Sequence, residues 1–303
     1  MKTTLNTLLG AALALLVTIA SNPNTQAQPS GPILFNTLNL TNGGVFVPAQ
    51  VYSVNADGTG LRQLTTGKTS AAGAAWHPSY QYVSFFRDGY LQVMEAAPES
   101  SRIRPFAVGA AQPIGADFSP DGKLITYVGP RPTDGKGAAI IIRSIDLARR
   151  KVGTPTMLWN QDCYAPSFSP DGTRISFSSH YNPTSSGGPH VKILELATGN
   201  VASLDAITGF IPSWSPDGQW LVFCGSTGSG SELFLVRPDG SELTQVTSLA
   251  NPRGVAWPSF SPDGAELIFT SGYDGVAALY RVACDSGVVS LFQPSANAAH
   301  WTP

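Results

Sequence analysis

The chain has 303 residues with 18 basic and 20 acidic side chains, and charged residues make up only 13% of it. No basic block stands anywhere in it, which removes the electrostatic footprint of a nucleic-acid binder. The 31 glycines and 24 prolines argue for many short strands and turns and against amphipathic helices.

The first element in the chain is not part of the fold. Lys2 is followed by an apolar run from Leu8 to Ala20, and small side chains at Thr25-Gln26-Ala27 mark a signal-peptidase site. Residues 1–27 therefore read as an export signal. The run is too short to span a bilayer, which takes about 20 helical residues. No cysteine follows it to carry a lipid, so no stable membrane insertion is expected after cleavage.

Ile33-Leu34-Phe35 comes next and looks like the second strand of a unit whose first strand is missing. A repeat then takes over. Trp76-His77-Pro78-Ser79-Tyr80 is a degenerate copy, and the full motif stands at Phe118-Ser119-Pro120-Asp121-Gly122. It returns from Phe168 to Gly172, from Trp214 to Gly218 and from Phe260 to Gly264. The aromatics step by 42, 50, 46 and 46 residues, the length of a four-stranded propeller blade of about 40 to 50 residues.

Each copy continues into a short apolar strand such as Ile175-Ser176-Phe177 or Leu267-Ile268-Phe269. Third and fourth strands follow, and their pairs number six, at about 51–65, 91–108, 140–158, 191–204, 233–247 and 279–292. Continuous apolar runs such as Ile140-Ile141-Ile142 suit strands covered on both faces. The Ser-Pro-Asp-Gly segment has a local account as a turn. Proline presets φ, Asp bonds the backbone ahead of it, and Gly tolerates a positive φ. Its four aspartates are read as turn formers rather than calcium ligands.

The chain closes with Ala299-His300-Trp301-Thr302-Pro303, a first strand with nothing after it. Joined to Ile33-Leu34-Phe35 it would complete a blade. The expected fold is thus all-β, a six-bladed propeller of four-stranded antiparallel blades over residues 28–303, closed by pairing the two ends. Closure hides strand edges that would otherwise recruit other molecules.

The aromatic-Ser-Pro-Asp-Gly motif, the Ile/Leu-x-Phe strand after it and the later turns Asn55-Ala56-Asp57-Gly58 and Arg237-Pro238-Asp239-Gly240 together resemble the TolB-type, WD40-like propeller repeat. The resemblance implies a six-bladed propeller of the cell envelope that contacts protein partners. TolB itself carries an α/β domain ahead of its propeller, whereas here the first strand is expected within a few residues of Ala27.

Strand direction places the long connections on the rim opposite the Ser-Pro-Asp-Gly turns, namely Thr37 to Ala49, Gly129 to Gly137, Ser179 to His190 and Gly225 to Ser231. Long loops on a rigid scaffold are the usual seat of binding groups. The candidate binding residues on that rim are Arg87, Asp88, Arg131, Asp162, Tyr164, His180, Tyr181, His190, Arg253, Trp257, Tyr273, Asp274 and His300. Aromatic and Arg side chains concentrate binding energy. His180, His190 and His300 share the rim but follow no standard zinc spacing, so no metal and no cofactor are expected.

There is no Gly-x-Ser-x-Gly elbow for nucleophilic catalysis. Gly225 to Ser231 reads as a flexible Gly/Ser loop, not a phosphate cradle. The three cysteines leave an odd thiol, and a bond between Cys163 and Cys224 on one rim is conceivable. The reading is a monomeric, periplasmic or secreted propeller that binds a protein or peptide through its loop-rich rim and channel mouth, without nucleic acid. The alternatives are a carbohydrate lyase or hydrolase at the channel mouth, with Asp88, Asp162 and Asp274 as its acidic candidates, and a purely structural envelope module.

Overall fold

The structure, a computed structural model, describes residues 31–42, 45–96, 105–111, 115–131, 137–179, 188–205, 208–228, 230–249, 254–272 and 277–301. The expected export segment, residues 1–27, lies outside them. Every regular element among the described residues is a strand, and the strands form six antiparallel blades and one small hairpin.

Blade 1 is built from both ends of the chain. Its strands are Ala296–Trp301, Ile33–Thr37, Val51–Val54 and Arg62–Gln63 in that order. The closing pairing sets Ile33 against Trp301 and Leu34 against His300. Blade 2 holds Ala72–Trp76, Tyr82–Arg87, Tyr90–Glu95 and Phe106–Ala110. In blade 3, Ala116–Phe118, Leu124–Gly129 and Ala139–Asp146 are followed by a fourth strand split into Lys151–Val152 and Thr156–Trp159. Blade 4 takes Cys163–Phe168, Arg174–Ser179, Val191–Glu195 and Val201–Leu204. Blade 5 takes Gly209–Trp214, Leu221–Thr227, Gly230–Val236 and Thr244–Gln245, and blade 6 takes Ala256–Phe260, Glu266–Ser271, Ala278–Ala283 and Val289–Pro294. The first strands of neighbouring blades touch one another all the way round, so they are the innermost strands and surround a central channel.

The core is divided in the same way. Six apolar clusters lie one at each junction between blades, which is why the second and third strands are apolar on both faces. At the junction of blades 6 and 1, Trp301 packs with Ile33, Phe35, Val54, Ile268 and Leu279 and is 2% exposed. Its indole donates to Gly31 O at 2.9 Å.

The Ser-Pro-Asp-Gly turns are held as the residue chemistry requires. In blade 3 the Asp121 carboxylate accepts from the Ser119 hydroxyl at 2.6 Å and from Lys123 N at 3.0 Å, while Leu124 N donates to the same hydroxyl at 2.9 Å. The other three copies repeat this network, and their glycines all have φ near +70°. Each aspartate is engaged in its own turn. Blade 2 keeps the shape with other residues: the His77 Nδ1 sits 2.8 Å from the Ser79 hydroxyl and accepts from Ser79 N, and Tyr80 takes the left-handed position at φ 57°.

Two expectations are corrected. Gly225 to Ser231 is not a loop, because strands Leu221–Thr227 and Gly230–Val236 stay paired up to Thr227 opposite Gly230. Small side chains suit this hairpin as well as they suit a loop. Cys163 and Cys224 are not bonded. Cys163 lies in the cluster between blades 3 and 4 and Cys224 in the cluster between blades 5 and 6, so their side chains pack at different junctions. Burial pushes the Cys163 thiol up to about 12.

Trp301→Ala is expected to lower the unfolding free energy by about 3–5 kcal/mol, the usual range for removing a buried aromatic, as read from urea melts. Leu291→Ala, at a side chain 57% exposed on the outer strand of blade 6, should cost less than about 0.5 kcal/mol. Equal losses at the two positions would contradict closure through the C-terminal strand.

Candidate functional site

The innermost strand of each blade pairs on one side only, with the second strand of its own blade. Its channel-side backbone groups need other partners, since an unpaired buried N–H costs about as much as a lost hydrogen bond. In three blades the side chain just before the repeat aromatic supplies one. Asp117 accepts from Phe168 N at 2.8 Å in the next blade, Ser259 from Trp301 N at 2.9 Å, and His300 from Trp76 N at 3.5 Å.

Three residues before each aromatic, the backbone turns to positive φ in all six blades. The residues are Gly73, Gly115, Ala165, Ile211, Trp257 and Ala298. In five blades this coincides with a register shift in the pairing of first and second strands. Positive φ is uncommon outside glycine and an outlier for a β-branched residue such as Ile211. The exposed amides are caught by the preceding blade: Ile211 N donates to the Ser178 hydroxyl at 2.8 Å, Ala298 N to Thr270 at 3.0 Å and Gly73 N to Asn36 at 3.4 Å. These bulges ring the channel mouth on the loop-rich side.

The channel holds two cavities. The turn-side cavity, of about 220 Å³, is lined by the prolines Pro78, Pro120, Pro170 and Pro216 and by edges of the repeat aromatics. The loop-side cavity, of about 70 Å³, is lined by Ala165, Ile211 and Trp257 with the prolines that follow them. Asp117, Ser167, Ser213, Ser259 and His300 line both and form the throat between them.

Asp117 and His300 are the titratable groups of this lining. Burial raises the Asp117 carboxyl to about 7 against the opposing pull of Phe168 N, the Ser167 hydroxyl and its neighbour's amide. Burial lowers His300 to about 4. The remaining throat residues, Ser167, Ser213 and Ser259, carry no charge.

The predicted residues fall as follows. Trp257 and His300 line the loop-side cavity, both half-buried. Arg87 and Asp88 stand at the tip of blade 2, where Asp88 and Gly89 both have positive φ in a two-residue turn. Asp88 is exposed and accepts from Thr69 at 3.3 Å. Arg87 reaches into blade 1 and donates to Gln50 at 3.0 Å, with its guanidinium 5.3 Å from the Phe85 ring. Arg131 lies beside Gly137 in the blade 3 connection, and Asp162 is exposed where blade 4 begins. Tyr164 is half-buried and bonded to Ser178, its phenol pushed up to about 12 by burial. His190 contacts Asp205 at 3.3 Å. His180, Tyr181, Arg253, Tyr273 and Asp274 lie outside the described residues. The described residues form no group of three or more His, Cys, Asp and Glu that could hold a metal ion.

Asp117 was not among the candidates. Its signal was a departure from the repeat, since the residue before the aromatic is serine in blades 4, 5 and 6 and aspartate only here. Sequence reasoning also missed a clasp on the same rim. Gln50, just before the third strand of blade 1, and Glu232, within that of blade 5, accept from Thr65 and Thr247 just after the fourth strands, and those hydroxyls accept from Val51 N and Leu233 N at 2.9 Å. His190 and Asp205 hold the corresponding places in blade 4.

Residues 156–303 match the family model of the TolB beta propeller domain. The chain is 32% identical over 124 residues to a TolB homolog of Chlorobium luteolum, a match covering 40% of this chain and 27% of that relative. Among solved structures it is similar to TolB from Acinetobacter baumannii, with a TM-score of 0.69 at 18% identity, covering 90% of this chain and 67% of the other. A putative TolB from Agrobacterium tumefaciens gives 0.68 at 21%, over 87% and 88%. An oligogalacturonate lyase in complex with manganese shares the fold at 0.56 and 15%, over 82% and 71%.

The two throat groups act on stability with opposite signs. A carboxyl raised from 3.8 to about 7 contributes stability below pH 4 that is lost as pH rises through 7, while a histidine lowered from 6.5 to about 4 contributes stability above pH 6.5 that is lost as pH falls through 4. Asp117→Asn keeps an acceptor for Phe168 N and removes the first effect. Its melting temperature relative to the parent should therefore climb between pH 4 and pH 8, and a difference flat in pH would refute the burial assigned to Asp117.

Proposed function

We propose that this chain, a β-propeller of the TolB type, is a non-enzymatic binding protein of the cell envelope that recognises a protein or peptide through its loop-rich rim and the channel mouth there. One observation carries the reading. Six successive blades place a positive-φ residue at the same mouth, and in four of them, at Ala165, Ile211, Trp257 and Ala298, it is not glycine; strain of that kind persists where a surrounding scaffold over-determines it, most often at ligand clamps and active sites.

The rim also has the composition of a recognition surface. Trp257 sits in the mouth, while Arg131 and Asp162 stand on connections of blades 3 and 4. Aromatic and Arg anchors tend to dominate binding energy when surrounded by neutral contacts. The bulge amides of Gly73, Ile211 and Ala298 are occupied by hydrogen bonds within the ring, so specificity would fall to these side chains. Export to the periplasm or the medium is part of the proposal and rests on residues 1–27. The match to envelope propellers supports it.

The experiment is capture of soluble envelope proteins by the immobilised chain, compared with a Trp257→Ala, Arg131→Ala, Asp162→Ala variant. A defined protein retained by the parent and weakened at least about tenfold in the variant, in line with the loss of one or two anchors, supports the reading. Equal retention by both, or turnover of a polysaccharide by the parent in a parallel panel, would sink it.

A further inference from the structure

The turn-side cavity is a separate feature from the loop-rich rim. Its collar is apolar, formed by Pro78, Pro120, Pro170 and Pro216 with the edges of buried Trp and Phe rings, and it narrows to the polar throat. At about 220 Å³ it is smaller than the roughly 300 Å³ at which pockets for whole drug-sized ligands begin. It suits a slim chain end and not a bulky ring.

Among the described residues, Asp117 is the acidic group of this lining, and no Lys or Arg lines either cavity. Its partners are all neutral donors: Phe168 N and the Ser167 hydroxyl on Oδ2, at 2.8 and 3.1 Å, and the amide of Phe118. A carboxylate offers about four lone-pair sites, so one acceptor position remains beyond these three. His300, the other titratable group of the throat, already accepts from Trp76 N. Three hydroxyls, of Ser167, Ser213 and Ser259, complete the polar ring. The throat therefore pairs a carboxyl lacking a counter-ion with an apolar entrance, and a buried charge of that kind gains stabilisation from an opposite charge brought to it.

We propose that the turn-side channel is a second binding site, which takes a primary ammonium on a slim apolar stem with Asp117 as its counter-ion. A lysine side chain, a free peptide N-terminus and a small alkylamine all present this chemistry. The serine hydroxyls receive the remaining ammonium protons, and the proline collar covers the stem. Binding requires the ionised carboxyl, so affinity rises with pH through the titration of Asp117, His300 staying neutral over that range.

The probes are n-butylammonium and n-butanol, titrated at pH 8 into the parent chain and into Asp117→Asn with calorimetric or NMR detection. The expected result is that butylammonium binds at least about tenfold more tightly than butanol, the size of a charge-assisted hydrogen bond. Asp117→Asn abolishes the preference, and Ser213→Phe, which fills the throat from another blade, abolishes binding. Equal affinity for the two probes, or an undiminished preference in Asp117→Asn, would overturn the site. Should Asp117→Asn fail to fold, the parent decides, because its affinity for butylammonium must increase about tenfold from pH 5.5 to 8 and a flat profile overturns the proposal. Comparing a tripeptide with a free N-terminus and its acetylated form then assigns the source: selective binding of the free form names a chain end, and butylammonium binding alone names small amines. Rim capture plays no part in these readouts, so either proposal can fail without the other.

Discussion

The inner edge of a propeller blade is an open edge, and the rest of this molecule follows from how that edge is satisfied. Each first strand has one β partner and must find others for the amides facing the channel. The answer is reciprocal stitching. The residue before the aromatic reaches forward to the next blade, as Asp117, Ser259 and His300 do, and hydroxyl or amide side chains of the second strand reach forward to the next bulge, as Asn36, Ser178 and Thr270 do. Six apolar clusters hold the same junctions further out. No blade is complete without its neighbours, so the domain is cooperative by construction.

The same requirement explains why polar chemistry collects on the axis. Side chains chosen to catch backbone amides are short and polar, and they stand where water is scarce. A serine there stays neutral. Replacing one by Asp117, and another by His300, puts titratable groups in a narrow throat, where desolvation pushes them in opposite directions. The functional potential of the channel is thus a by-product of edge satisfaction, modified at two of six repeat positions.

Much of this was legible beforehand. The repeat set the blade length because Ser, Pro, Asp and Gly each have a separate reason to occupy one turn, and the half-blades at the two ends gave the count of six and the pairing of the end strands, which sets Ile33 against Trp301. What escaped was whatever depends on which junction a side chain faces. Cys163 and Cys224 share a rim by strand position yet pack two junctions apart. Gly225 to Ser231 has a loop's composition, but pairing inside a blade overrides it. Asp117 looked like an ordinary strand residue, because its role comes from a residue 51 positions later. The contact of the Arg87 guanidinium with Gln50 of blade 1 was likewise invisible in the sequence. Strand direction alone carries Trp257 and His300 to the mouth, where both line the loop-side cavity.

Blade 1, assembled from the first and last strands, also sets an order of events during synthesis. Blades 2 to 6 can each pair internally as they emerge, from contacts close in sequence, whereas the strand Ile33–Thr37 must wait for Ala296–Trp301. Long-range pairing of this kind is entropically slow and exposes sticky edges meanwhile. The ring therefore stays an incomplete horseshoe until Ala296–Trp301 is delivered, and any ligand that needs the whole circle can bind only after that strand has paired.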